Sequence, residues 1–127
     1  MVRVFLVIAG LNGFLSVAIG AFAAHGLKKI LTPHMLDIVK TAAQYQMYHA
    51  IALLITALLL MHKPSASGLK AGGWAFTLGI LMFSGSLYAL ALGAPRWLGP
   101  ITPWGGLCFL IGWSSLLHAG WRMKFLT

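Results

Sequence analysis

Ala42, Tyr45 or Gln46, His49, Leu53 and Thr56 recur at helical spacing, which puts them on one face of a helix. Gln46 can donate and accept at once, and His49 can also move a proton. His25, Ser84, Ser86, Tyr88 and Thr102 are candidate partners, because each falls at the same end of its own apolar run. The spacing predicts a hydrogen-bonded cluster centred on Gln46 and His49, with Asn12 a separate, isolated polar group in the opposite half. Two uses fit such a cluster. It could bind a headgroup, a quinone or a proton. It could equally be glue between helices, each bond worth about 0.6 kcal/mol. The second use is favoured, since Gln, Ser and Tyr serve it without ionising.

Other chemistries can be weighed against the same residues. A membrane haem wants two facing axial ligands at one depth. His49 lies deep, His25 lies near a helix end, and His62 is ~20 Å further along the helix from His49 at the usual helical rise. His118 sits at the same end as His62. Zinc wants three or four clustered His, Cys or acidic ligands, and the chain has a single cysteine, Cys108, with scattered histidines. Proton-coupled transport usually uses an acid within the membrane, and the only acid, Asp37, falls in a connection. No phosphate loop, nucleophile–base pair or carboxylate pair is present. The residues therefore imply no metal, no cofactor and no enzyme. An enzyme acting on lipid or quinone ranks last, with only His49 and His25 available as acid or base.

The elements that hold these residues follow from composition. Of 127 residues, 60% are hydrophobic and only 8% charged, with a mean hydropathy of +0.90. A soluble domain carries about 25% charged residues, so a soluble globular domain, a disordered tail and a nucleic-acid module are excluded. Residues 4–27, 41–62, 71–95 and 97–121 contain no Asp, Glu, Lys or Arg. Each reaches the roughly 20 residues that a helix needs to cross hydrocarbon. The reading is an all-α integral-membrane four-helix bundle, one domain over residues 1–127, with helices at about 4–24, 41–62, 71–92 and 103–121. Thr32-Pro33 reads as a helix start lying near the interface over 33–40. Barrel strands are excluded, being about ten residues long and alternating in polarity. A cleaved leader ending near Ala21-Phe22-Ala23 is disfavoured by the length of the first run. The lone Cys108 permits no intrachain disulfide.

Short connections make sequential helices antiparallel. The net charge of +8 then divides between the two ends. Arg3, Lys63, Lys70, Arg122 and Lys124 share the side of the termini, and Lys28, Lys29, Lys40 and Arg96 the other. The positive-inside rule favours cytoplasmic termini by one charge. The positive charge belongs at anionic headgroups, not on nucleic acid.

Small residues at helical spacing mark close contacts in lipid. They run through Ala9, Gly13, Ser16, Gly20 and Ala24 in the first helix, Gly72, Ala75, Gly79 and Ser86 in the third, and Gly105, Cys108, Gly112, Ser115 and Ala119 in the fourth. Intramolecular packing is the favoured use, self-assembly the other.

Four segments carry a resemblance. Residues 20–27 (GAFAAHGL) resemble a GAFGAHGL signature, and residues 43–50 (AQYQMYHA) a YQxxHA segment. Residues 83–90 (FSGSLYAL) resemble FSGSLYxL, and residues 101–106 with Gly112-Trp113 resemble TPxGG…GW. Together they resemble the YgdD-like family of small, uncharacterised inner-membrane proteins, which has eukaryotic relatives. Ala23 stands where the signature has Gly. The resemblance covers nearly the whole chain in the same order. It implies a four-span protein of the bacterial cytoplasmic membrane with cytoplasmic termini, and brings no activity, cofactor or catalytic residue. Its segments include His25, Gln46, His49, Ser84, Ser86, Tyr88 and Thr102. The expected function is a non-enzymatic accessory or structural protein binding another membrane protein, itself or lipid. The alternative is a small transporter or channel using the polar cluster.

Overall fold

The computed structural model describes residues 1–124; residues 125–127 of the expected single domain lie outside the described part. Four helices account for most of it: α1 (Val2–Ala24), α2 (Pro33–His62), α3 (Ser67–Ala91) and α4 (Ile101–Arg122). Single 3-10 turns at Leu27–Lys29 and Arg96–Leu98 occupy two of the connections, and no strand occurs among the described residues.

The helix ends follow from local chemistry. At the start of α2 the Thr32 hydroxyl accepts from the Met35 N–H at 3.2 Å, with Pro33 in the first turn. The stretch over 33–40, expected to start near the interface and then enter the membrane, and the span over 41–62 form one unbroken helix of 30 residues. The centre of α2 therefore falls near Met47 and Tyr48. α3 ends at Gly93, whose φ of +96° no other described residue type adopts here. The Ala94 N–H reaches back to the Ala89 carbonyl and the Gly93 N–H to that of Leu90, which closes the last turn. Midway, residues Ile80–Ser84 wind as a π-helical turn between Gly79 and Gly85. Such a turn widens the helix and re-aims the side chains beyond it.

α1, α2 and α3 are long and apolar enough to cross a membrane. α4 matches them in length, with 22 residues, but its Gly, Ser, Trp and His residues dilute its apolarity. The expectation of four crossings is thus met by length in all four helices and by composition in three.

Packing pairs α1 with α2 and α3 with α4. A Cβ on Gly72 would overlap Ser115, one on Gly112 would overlap Phe76, one on Gly79 would overlap Phe109, and one on Gly105 would overlap the Phe83 backbone. Numbers rise along α3 as they fall along α4, so the two run antiparallel in close register. The Phe5 ring of α1 lies over Gly73 and meets Trp74 edge-on, centroids 5.3 Å apart. In lipid, where burial supplies no hydrophobic drive, this backbone-level fit is what holds helices together.

The small-residue face expected on α1 behaves differently. Ala9 and Ser16 are buried, but Ala24 is exposed. A Cβ on Gly10, Gly13 or Gly20 would meet nothing within 4 Å. The face in use is one step round, through Phe5, Ala9, Ser16 and Ala23.

Candidate functional site

α2 carries the polar face that reaches every other helix. Gln46 is buried, and both ends of its amide are engaged: the Tyr88 hydroxyl donates to Oε1 at 2.7 Å, and Nε2 donates to Asn12 Oδ1 at 2.9 Å. The Asn12 amide then donates to the Ile8 carbonyl at 2.9 Å. One directed chain of bonds so runs from α3 through α2 to α1. Asn12, expected to be isolated in the opposite half, is a member of the cluster. The physical reason is the length of α2. With residues 33–40 in the same helix, Gln46 lies close to the middle of α2, level with the middle of α1 where Asn12 sits.

His49 is buried one turn further on. Its Nδ1 lies 2.6 Å from the Tyr45 carbonyl oxygen, and its Nε2 accepts from the Trp113 indole N–H at 3.1 Å. A carbonyl only accepts and an indole N–H only donates, so the ring carries its proton on Nδ1 and its lone pair on Nε2. Phe109 stacks on the imidazole, centroids 3.5 Å apart and planes within 5°. Both nitrogens are engaged. A metal or a substrate proton could reach Nε2 only by displacing Trp113.

Hydroxyls supply the remaining bonds. Ser16 of α1 donates to the Ala43 carbonyl at 2.7 Å, and Ser84 of α3 donates to the neighbouring Ala42 carbonyl at 2.8 Å. Two helices thus grip consecutive carbonyls of α2. Ser86 donates to the Phe83 carbonyl, so its contact with Thr102 has the Thr102 hydroxyl as donor. Ser86 and Thr102 join α3 to α4 apart from Gln46 and His49. His25 is exposed at the end of α1, where only its backbone N–H bonds, to the Phe22 carbonyl. The structure does not bring it to the cluster, because α1 ends beyond the level of Gln46. Among the described residues every buried side-chain N or O atom has a partner, and no three His, Cys, Asp or Glu residues come together.

Sequence reasoning missed Trp113, Asn12 and Ser16. Trp113 had one signal: an indole N–H within an apolar run needs an acceptor. Ser16 was read for its size alone, and its hydroxyl pointed to the same need.

Beside His49 lies an open groove of about 490 Å³, walled mainly by Tyr45, Tyr48, Phe83, Phe109 and Trp113. The Tyr45 and Phe83 rings are 4.8 Å apart. The groove is aromatic, and both ring nitrogens of His49 beside it are already bonded.

Long apolar helices, glycine-level contacts and a neutral hydrogen-bond network define a helical integral membrane protein. The chain belongs to the family described as a protein of unknown function (DUF423), whose model matches residues 19–106. That stretch includes His25, Gln46, His49, Ser84, Ser86, Tyr88 and Thr102, and lies outside Asn12 and Trp113. The chain is 46% identical over 122 residues to a UPF0382 membrane protein of Haemophilus influenzae, covering 96% of this chain and 97% of that one. It is 40% identical over 120 residues to the UPF0382 membrane protein SAB0533 of Staphylococcus aureus, covering 94% and 97%. It is 38% identical over 124 residues to the UPF0382 membrane protein YwdK of Bacillus subtilis, covering 98% and 99%. No solved structure matches it.

Proposed function

We propose that this is a non-enzymatic accessory or structural protein of the bacterial cytoplasmic membrane, which binds another membrane protein, a second copy or lipid through its lateral faces. It crosses four times, with both termini in the cytoplasm, as the resemblance to the YgdD-like family implies. Support for the fourth crossing comes from α4, which turns Leu107, Leu110, Ile111 and Leu117 outward with Trp104 and Trp121 near its ends.

One observation carries the reading. In α3 and α4 the glycines at positions 72, 73, 79, 105 and 112 abut a neighbouring helix and those at 68, 85, 106 and 120 do not, whereas none of the three glycines of α1 meets a neighbour. Only four residues of α1 are buried, and Val7, Leu11, Phe14 and Val17 are exposed. A small-residue face left open on an apolar helix suits a further helix. The rival reading, a transporter or channel, calls for polar groups free to meet a passing solute. Those of the cluster are bonded to one another, and the groove beside them is aromatic, which weighs against that rival.

Purification in mild detergent tests the proposal. A stoichiometric partner or a homo-oligomer is expected to co-purify, and Gly13→Leu with Gly20→Leu is expected to release it while the helical fold persists. Monomers alone from native-like lipid would contradict it.

A further inference from the structure

The core cluster that joins Val2, Ala66 and Met123 marks the end of the molecule where α2 and α4 finish and α3 begins. A cavity of about 390 Å³ opens there, lined by Lys63, His118 and Arg122, with the hydroxyl-bearing Ser65 and Ser67. Its size falls among ligand-binding cavities, which run from about 300 to 1,000 Å³.

Its charge is unbalanced from within. The chain has one acidic side chain, Asp37. Asp37 sits near the start of α2 and Lys63 closes its end, so the helical rise separates them by about 39 Å. No acidic side chain of the chain can pair with Lys63 or Arg122. Among the described residues, no acidic side chain lies at this end, and the lining side chains are basic or uncharged apart from the His118 ring. The lining shows which anion fits. Arg122 offers a planar fork matched to tetrahedral oxyanions, and Lys63 a compact point charge. Ser65, Ser67 and the His118 ring add further donors. The first turn of α3 has no side-chain cap, and its residues Ser67, Gly68 and Leu69 are part of the same wall.

We propose that this cavity is a binding site for a phosphate-class anion. Two sources carry that chemistry at a membrane surface: the phosphodiester of an acidic phospholipid and free inorganic phosphate. The site rests on the four-crossing reading, which puts this end of the molecule at the headgroups.

The test uses the full chain in phosphatidylcholine nanodiscs containing graded phosphatidylglycerol, with retained lipid counted by native mass spectrometry. Phosphatidylglycerol is expected to be retained about tenfold over phosphatidylcholine, and Lys63→Gln with Arg122→Gln is expected to remove that preference. Lys28→Gln with Lys29→Gln removes the same charge from exposed positions at the other end and is expected to leave it intact. Circular dichroism checks that both variants fold, and Lys63→Arg is expected to behave as the parent. A parallel titration with inorganic phosphate in pure phosphatidylcholine separates the sources. Binding that needs Lys63 and Arg122 assigns the site to the free anion; no binding there, with phosphatidylglycerol retained, assigns it to the headgroup. An equal loss in both double variants would mean diffuse surface charge and overturn the site, as would a parent that distinguishes neither lipid nor phosphate. Labelling at positions 3, 65 and 124 reads the four-crossing arrangement separately, so the two failures are distinguishable.

Discussion

His49 is the residue a chemist would choose first, and its surroundings assign it a structural duty. The Tyr45 carbonyl and the Trp113 indole hold its two nitrogens in fixed donor and acceptor roles. Nitrogen-15 spectra of the imidazole are expected to show the proton on Nδ1, and Trp113→Phe is expected to let it redistribute. A parent ring protonated on Nε2 would contradict the assignment. Gln46 tests the other half of the cluster, since it is bonded on both sides. Gln46→Leu removes both bonds and is expected to cost about 1–2 kcal/mol, at an average of roughly 0.6 kcal/mol for each such bond in membranes. Asn12→Leu on top is expected to cost little more, because its bond to Gln46 is already gone. Reversible unfolding in bicelles reads both; strict additivity would mean that the two residues act separately.

At the scale of elements, glycine does different work in different helices. Gly105 touches the Phe83 backbone, which cannot turn aside, whereas Gly13 has empty space where its Cβ would lie. Gly105→Ala is expected to destabilise by about 1–3 kcal/mol through overpacking. Gly13→Ala is expected to be neutral or stabilising by about 0.5–1 kcal/mol, since alanine is the better helix former. Thermal unfolding of the two variants side by side decides this, and equal losses would contradict the packing described. The sequence shows the same stepping of small residues in α1, α3 and α4 because spacing encodes a face and not its partner. The Thr32 start and the tie between Gln46 and Tyr88 were legible, being matters of local chemistry and of polar groups seeking company in lipid. The depth of Asn12 was not, since it depends on where along the helix that starts at Pro33 the crossing is centred, and 41–62 was read as the crossing part. Nor was the π-helical turn at Ile80–Ser84, which lies where Gly105 of α4 comes against the Phe83 backbone.

For the whole molecule, neutral bonds and glycine contacts hold the interior, while the charge stands at the ends of the helices. The composition that rules out a soluble fold gives three helices long and apolar enough to cross, and the outward face of α4 argues for a fourth crossing. Single cysteines at Arg3, Lys28, Ser65, Arg96 and Lys124, placed in a Cys108→Ser background and labelled in intact cells with an impermeant maleimide, measure this directly. Positions 28 and 96 are expected to react from outside, and positions 3, 65 and 124 only after the membrane is opened. Labelling of position 124 from the same side as position 96 would show that α4 does not cross.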